Sequence, residues 1–547
     1  MGRRPIEDQK FDYVVVGAGS AGCVVAARLS ESGQHQVALI ESGGEDDSFW
    51  IRVPLGYGKL HDDPRYNWMY DGEPEPELNG ARGYQPRGKV LGGTGSINGS
   101  AYVRGKPKDY DDWERLGNTG WGFRDVLPFF KKGEGNEMGP SEYHGAGGPL
   151  KVSNNPRHEL CDAFVQAGLQ AGFPENHDCN GERSDGFGYN QSTIWKGRRW
   201  SAADAYLKPA RKRGNLCVLT NAHATRIALR HGNADGVVFR QGSQLRTVRA
   251  RKEVILCAGA FNSPQLLQLS GVGPAELLKS LGIPVIADLP GVGANLQDHF
   301  GTALAYECTR PITINDMVNN PFRRILMGLE YLLFRRGLMT TNASFVGAAV
   351  QTDSQVPESE VRLKLALWAR SATGLQAHRH RMGLDAYSGF SILNSLQYPE
   401  SRGSVRSRSA DSAVPPEIRF NFFQSDRDRK TLVEAVRLVR RLMSMPAMIP
   451  YVKGERAPGA DCVSDEEIIA FCRESGKSFH HAAGSCRMGV GEDAVVEPRL
   501  RVRGVGGLRV IDASVMPRIV AANPNATVMM IAEKGATMIL EDDKRLM

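Results

Sequence analysis

A chain of 547 residues with 41% hydrophobic and 24% charged residues has the composition of a folded globular protein and exceeds what one core usually fills, so two domains or one elaborated α/β architecture is expected. Its formal charge of +7 is modest for this length, and acids alternate with bases along most of the sequence, which argues against a nucleic-acid footprint. The nine cysteines form no CxxC pair and no zinc spacing, so a reducing compartment and no metal are expected; no apolar run reaches the roughly eighteen residues of a transmembrane segment.

The opening "MGRRPIEDQK" is too short and too polar for a signal peptide. A cytoplasmic protein is expected, with peripheral membrane contact left open. "FDYVVVGAGSAGCVVAARLSESGQHQVALIESGG" then runs from a β-branched strand through a glycine loop and a helix to a second strand closed by Glu41. This is a βαβ dinucleotide fingerprint. Gly17 permits the tight turn, Gly19 lets the backbone approach a pyrophosphate, and Gly22 lets the helix pack on the strand. The helix N-terminus offers free N–H groups to phosphates, and Glu41 is placed to accept from ribose hydroxyls. The fingerprint alone does not separate NAD from FAD.

Further along, "RGKVLGGTGSINGSAYVRG", residues 87 to 105, is dense in Gly and Ser, as backbone lying against a flat or phosphate-bearing ligand would be. "NLCVLTNAHATRIAL" and "RKEVILCAGA" read as strands that return the chain to the nucleotide domain. Between residues 301 and 477 apolar segments such as "LKLALWAR" and "YSGFSILNSLQ" alternate with polar loops, and no glycine fingerprint appears. "SFHHAAGSCRMG", residues 478 to 489, sets two adjacent histidines before a glycine turn, and "LRVIDAS" with a last helix closes the chain. Asn525 is expected to cap that helix through its side-chain oxygen.

Taken together, "GAGSAG", "GKVLGGTGSINGSAYVRGKPKDYD", "GAFNSPQLLQLSGVG", "GVGANLQDH", "HAAGSCRMG" and "VIDASVMPRIVAANPNATVMMIAEKGA" resemble, in order, the motifs of the glucose-methanol-choline (GMC) oxidoreductases, most of all the bacterial choline dehydrogenase-like and alcohol dehydrogenase-like members. The resemblance implies an α/β fold: an FAD-binding Rossmann-like βαβ domain with a second α+β substrate domain built on an antiparallel sheet. It implies an FAD domain in three pieces, 1–155, 206–300 and 478–547, with a substrate-domain excursion at 156–205 and a substrate-binding domain at 301–477. FAD contacts are implied for Gly17, Gly19, Ser20, Ala21, Gly22 and Glu41; for Gly92, Thr94, Asn98, Gly99 and Ala101; and for Ala224, Asp512, Ala513 and Pro524.

The implied activity is oxidation of a primary alcohol or polyol, with hydride passing to flavin N5. Aligned on the family's histidine pattern, the general base falls on His481 and the second catalytic position on Asn523, while His480 falls on the pocket wall. A neutral imidazole is the side chain best suited to take a hydroxyl proton near neutral pH. Where some relatives attach FAD through a histidine, this chain has Ile97, so FAD is expected to be held non-covalently. Where choline-oxidising relatives carry a glutamate, the alignment puts Phe345, a pocket residue that would disfavour choline. The acceptor, O2 or a quinone-like carrier, stays open, as do a homo-oligomer and a hydroxynitrile lyase-like use of the same fold.

Overall fold

In the computed structural model, which describes residues 10–352, 359–370 and 383–546, the β-branched run of β1 (Lys10–Val16) is buried and continues through the glycine loop into α1 (Ser20–Leu29) and β2 (Val37–Ile40). The expectation drawn from the extreme N-terminal residues lies outside the described residues. Strand β3 (Gly186–Tyr189) belongs to a second sheet. The chain then returns in β4 (Leu216–Leu219), β5 (Ala222–Arg230), β6 (Asn233–Gln241) and the long β7 (Gln244–Leu256). These strands form one sheet in the order β4-β2-β1-β7-β6-β5. The register of β1 sets Val14, Val15 and Val16 beside Ala38, Leu39 and Ile40 on one side and Val254, Ile255 and Leu256 on the other, all parallel. A β1 flanked by parallel strands and covered by helices is buried on both faces, which is why it reads as a continuous apolar run.

After α2 (Gly259–Leu269) the chain builds the second sheet: β8 (Phe300–Cys308), then, beyond α3 (Pro321–Phe334), β9 (Val346–Val350), β10 (Val361–Ala366) and β11 (Gly389–Leu396). Helix α4 (Asp426–Met443) packs on β11, β12 (Val452–Ala457) pairs along one edge of β8, and β13 (Lys477–Ser478) pairs with its start. The order β12-β8-β11-β10-β9-β3 is antiparallel throughout. The chain finally rejoins the first sheet through β14 (Leu508–Val510), parallel to β7, and ends in α5 (Asn525–Leu546), which packs on α1. The first sheet and its helices thus draw on three separated stretches of chain, and β3 carries the segment before residue 205 into the second. No helix among the described residues is long and apolar enough to cross a membrane.

Candidate active site

A cavity of about 430 Å³ lies where the two sheets meet, within the range of cofactor and small-molecule sites. The fingerprint loop forms one end. Gly17 has φ +96°, and a Cβ on Gly22 would sit 1.8 Å from the Gly17 carbonyl oxygen, so helix and loop close on each other only because both are glycine. A Cβ on Gly19 would meet no protein atom nearer than 3.9 Å: its backbone faces open space, as a close-approaching pyrophosphate requires. Glu41 accepts from Ala18 N and Gly43 N, both at 2.8 Å, and burial pushes its carboxyl up to about 7 against those two bonds. It therefore fastens the loop to the tip of β2 while keeping lone pairs for a ribose hydroxyl.

Of the residues expected at the cofactor, Gly17, Gly19, Ser20, Ala21, Glu41, Thr94, Asn98, Gly99, Ala101, Ala224, Asp512, Ala513 and Pro524 line this cavity. Gly22 and Gly92 do not; they stand behind it. The backbone N of Gly92 donates to the Ala18 oxygen at 2.7 Å, which ties the glycine-rich 87–105 segment to the fingerprint loop. Asp512 is a clamp. Its two oxygens accept from Gly259 N and Ser263 Oγ at the start of α2 and from Ser514 N and Oγ on its own turn. The helix starts of α1 and α5 both reach the cavity through Ser20 and Asn525, bringing two positive dipole ends to one space. Asn525 is not the expected cap: the helix starts at it, and its amide donates to Ser20 Oγ at 2.8 Å, joining the two helix ends. Loop, helix termini and the unfilled face of Gly19 fit the pyrophosphate of a dinucleotide such as FAD.

At the other end stand His480 and His481. His480 takes φ +63°, a left-handed conformation unusual for a non-glycine residue, and this turn lets neighbouring side chains both line the cavity. It is held by Ser478 Oγ, which accepts from its N at 2.9 Å, and by Arg87, which donates to its carbonyl at 3.0 Å. The backbone N of His481 donates to Asp298 Oδ1 at 2.7 Å, fixing the ring that follows.

The imidazole of His481 lies between two partners, His299 Nδ1 at 2.8 Å from its Nδ1 and Asn523 Nδ2 at 2.8 Å from its Nε2. Lys364 decides the orientation. Its Nζ donates to Asn523 Oδ1 at 2.7 Å, so the amide turns its NH2 toward His481, and Nε2 is the nitrogen that carries the lone pair. Nδ1–H then donates to His299. Burial first, then the electrostatic influence of His299 and Lys364, holds His481 well below the usual imidazole range, so it stays neutral.

Phe345, expected in the pocket, does not line it. It is 1% exposed, packed in the core with an edge contact to His158, while its neighbour Ser344 faces the cavity. Successive residues of an extended chain point to opposite sides, and the alignment chose the wrong one. The exclusion of choline that rested on Phe345 therefore falls. Conversely, the sequence reading gave no role to Lys364, His299, Asp298 or Arg87. The "GVGANLQDH" motif contains Asp298 and His299, but nothing in its pattern tells that they hold His481. Ile97 lines the cavity and carries no nucleophile.

Comparison with known proteins extends this picture over the whole chain. Residues 11–301 and 399–532 match the N- and C-terminal models described as GMC oxidoreductase. The chain is 42% identical over 532 residues to the oxygen-dependent choline dehydrogenase of Sinorhizobium medicae, covering 97% of this chain and 95% of that protein. The Brucella ovis protein of the same name is 42% identical over 535 residues with the same coverage. Among solved structures, pyridoxine 4-oxidase from Mesorbium loti superposes with a TM-score of 0.86 at 31% identity, covering 96% of this chain and 98% of that one. A formate oxidase structure superposes with a TM-score of 0.92 at 25% identity, covering 99% and 100%. The two-sheet architecture, the dinucleotide cradle and the similarity along nearly the full length agree: the chain belongs to the GMC oxidoreductase family, FAD-dependent enzymes that act on CH–OH donors.

Proposed function

We propose that the protein oxidises a primary alcohol or polyol to the carbonyl compound, with His481 as the base that accepts the hydroxyl proton and Asn523 as the group that holds the hydroxyl oxygen. The observation that carries this is the lone pair of His481 Nε2 facing Asn523 Nδ2 at 2.8 Å on the cavity wall. A hydroxyl that displaces this direct bond, parting the two groups, donates to Nε2 and accepts from Nδ2, which is the arrangement proton removal needs. Asn523 does not titrate, so it stabilises the forming alkoxide by hydrogen bonding, and the Lys364 ammonium behind it adds positive charge where negative charge develops. As the proton leaves, His481 becomes cationic; His299 at its Nδ1 receives that hydrogen bond and keeps the ring in place.

FAD, when bound, supplies the acceptor for the hydride from the carbinol carbon. Gly17, Gly19, Ser20 and Glu41 would hold its adenosine and pyrophosphate end, and Asp512, Ala513 and Pro524 its ring end. With Ile97 where a linking nucleophile would stand, the cofactor is held non-covalently. The acceptor of the second half-reaction is O2 or a quinone-like carrier, the former in keeping with the names of the bacterial relatives. Those names also favour redox turnover over the hydroxynitrile lyase-like reading. Anaerobic addition of a panel of alcohols to the yellow holoenzyme tests the proposal: bleaching of the flavin by at least one of them is expected, whereas cleavage of a hydroxynitrile with the flavin spectrum unchanged throughout would overturn it.

A further inference from the structure

Strand β10 puts two cations, Arg362 and Lys364, two residues apart and so on one side of the second sheet. Lys364 is half-buried at the cavity wall, opposite Leu393 in the register, and among the described residues its Nζ bonds only the neutral amide oxygen of Asn523. Arg362 stands behind, 4% exposed; its Nη2 reaches Asn190 Oδ1 at 3.2 Å, another neutral amide that lines the cavity, and among the described residues its Nε finds no hydrogen-bond partner. Among the described residues no carboxylate bonds either. The ionisable group that acts on both is Cys179, and burial pushes its thiol up, so it stays neutral. Burial, then the neighbouring Arg362, pulls the Lys364 ammonium down to about 7.

Two neighbouring like charges to which no described carboxylate bonds, one buried and one half-buried, are unfavourable, and an anion arriving from the cavity relieves them. The geometry points to an oxyanion subsite on Lys364, with Arg362 and Asn190 behind it, that receives a carboxylate or phosphate borne by the alcohol substrate a few bonds from its carbinol carbon. The short distance follows from the chain of contacts: Lys364 touches Asn523, and Asn523 touches the base. A quaternary ammonium in the same space faces repulsion from both cations. This substrate class rests on the alcohol-oxidation reading above.

The test uses holoenzyme and Lys364→Met, with Lys364→Arg as the charge-preserving control and bound flavin as the check of folding. Anaerobic flavin reduction is measured with hydroxyalkanoates, their amides and choline, and acetate or inorganic phosphate is titrated separately through the flavin spectrum. Expected are a KM for the acid at least about tenfold below that of its amide, acetate binding that weakens at least about tenfold in Lys364→Met, and recovery of both in Lys364→Arg. Equal use of acid, amide and choline by the native protein overturns the inference. So does acetate binding without any preference for acidic alcohols, which would mark a free-anion site. If no alcohol bleaches the flavin the proposed function fails, and the anion titration still reads the subsite by itself.

A separate observation concerns α3. Seven of its fourteen residues are exposed large apolar side chains: Phe322, Ile325, Leu326, Leu329, Leu332, Leu333 and Phe334, from 46% to 70% exposed. Phe49 and Trp50 extend the patch, with the Phe49 ring 6.2 Å from that of Tyr331 on the same helix. Arg323 and Arg324 stand at one end, Arg335 and Arg336 at the other, and Glu330 is the one acid between them. We infer that this helix lies in the surface of an anionic lipid bilayer, its apolar face among the acyl chains and its arginine pairs at the headgroups. Charge complementarity selects the lipid over a second copy of the chain: antiparallel pairing of two such helices sets arginines against arginines at both ends.

Co-sedimentation of the holoenzyme with vesicles of phosphatidylglycerol and phosphatidylcholine, and with phosphatidylcholine alone, tests this. Binding to the anionic vesicles that weakens with salt, and its loss in Leu329→Glu with flavin reduction unchanged, is expected. Absence of binding, or a solution dimer that Leu329→Glu splits, would overturn it.

Discussion

As the proposed base, His481 can take a proton only while neutral, and its surroundings keep it so. Asp298 holds its backbone, His299, His480, Arg87 and Lys364 surround its ring, and burial is the largest influence, holding its pKa well below 6.5. Protonation at Nε2 would end catalysis, so the acid limb of the rate of flavin reduction against pH lies well below 6.5; a limb at or above 6.5 would contradict this account. Lys364, whose ammonium titrates near 7, affects the alkaline side instead, because there the loss of its proton removes a positive charge beside the alkoxide. At Ile97 the proposal is that FAD is held without a covalent bond. Acid precipitation is then expected to release yellow flavin into the supernatant, and colour retained by the pellet would refute non-covalent binding.

The glycine loop between β1 and α1 separates two roles that its spacing alone conflates. A methyl on Gly22 collides with the loop, whereas a methyl on Gly19 enters space the protein leaves open. Gly22→Ala is therefore expected to cost about 3 kcal/mol or more of stability, read by denaturant unfolding. Gly19→Ala folds as the native protein does and loses FAD affinity by at least about tenfold, read by flavin titration; equal effects on folding would deny the distinction. Asp512 joins the start of α2 to the turn after β14 through bonds from four donors. Removing its carboxylate in Asp512→Ala orphans the Gly259 N–H and costs about 2–4 kcal/mol, more than one hydrogen bond contributes, because buried donors lose their acceptor. Element existence was legible because periodicity and β-branching are local. Which side of an extended segment faces the cavity was not: Phe345 and Ser344 exchange roles with a shift of one residue, and the side each takes is set by how the chain enters β9, where Asn190 N donates to the Phe345 oxygen at 2.8 Å.

Across the whole molecule, the cavity draws walls from both sheets and from the first and last helices, so a ligand filling it braces stretches of chain that are distant in sequence. At a hundred times its dissociation constant FAD should add about 2.7 kcal/mol to the unfolding free energy, seen as a higher melting temperature than that of the flavin-free protein. The cofactor end was legible because phosphate recognition uses backbone and glycine, which leave ordered spacing. The substrate end was not, because Lys364 in an apolar strand looks like any solvent-facing lysine until the folded chain brings its Nζ to Asn523 Oδ1. The most direct test of the central claim is anaerobic stopped-flow reduction of the flavin in His481→Ala by an alcohol that bleaches the native enzyme. The account predicts a variant that binds FAD normally and is reduced about 10²–10⁴-fold more slowly; reduction at the native rate would contradict it.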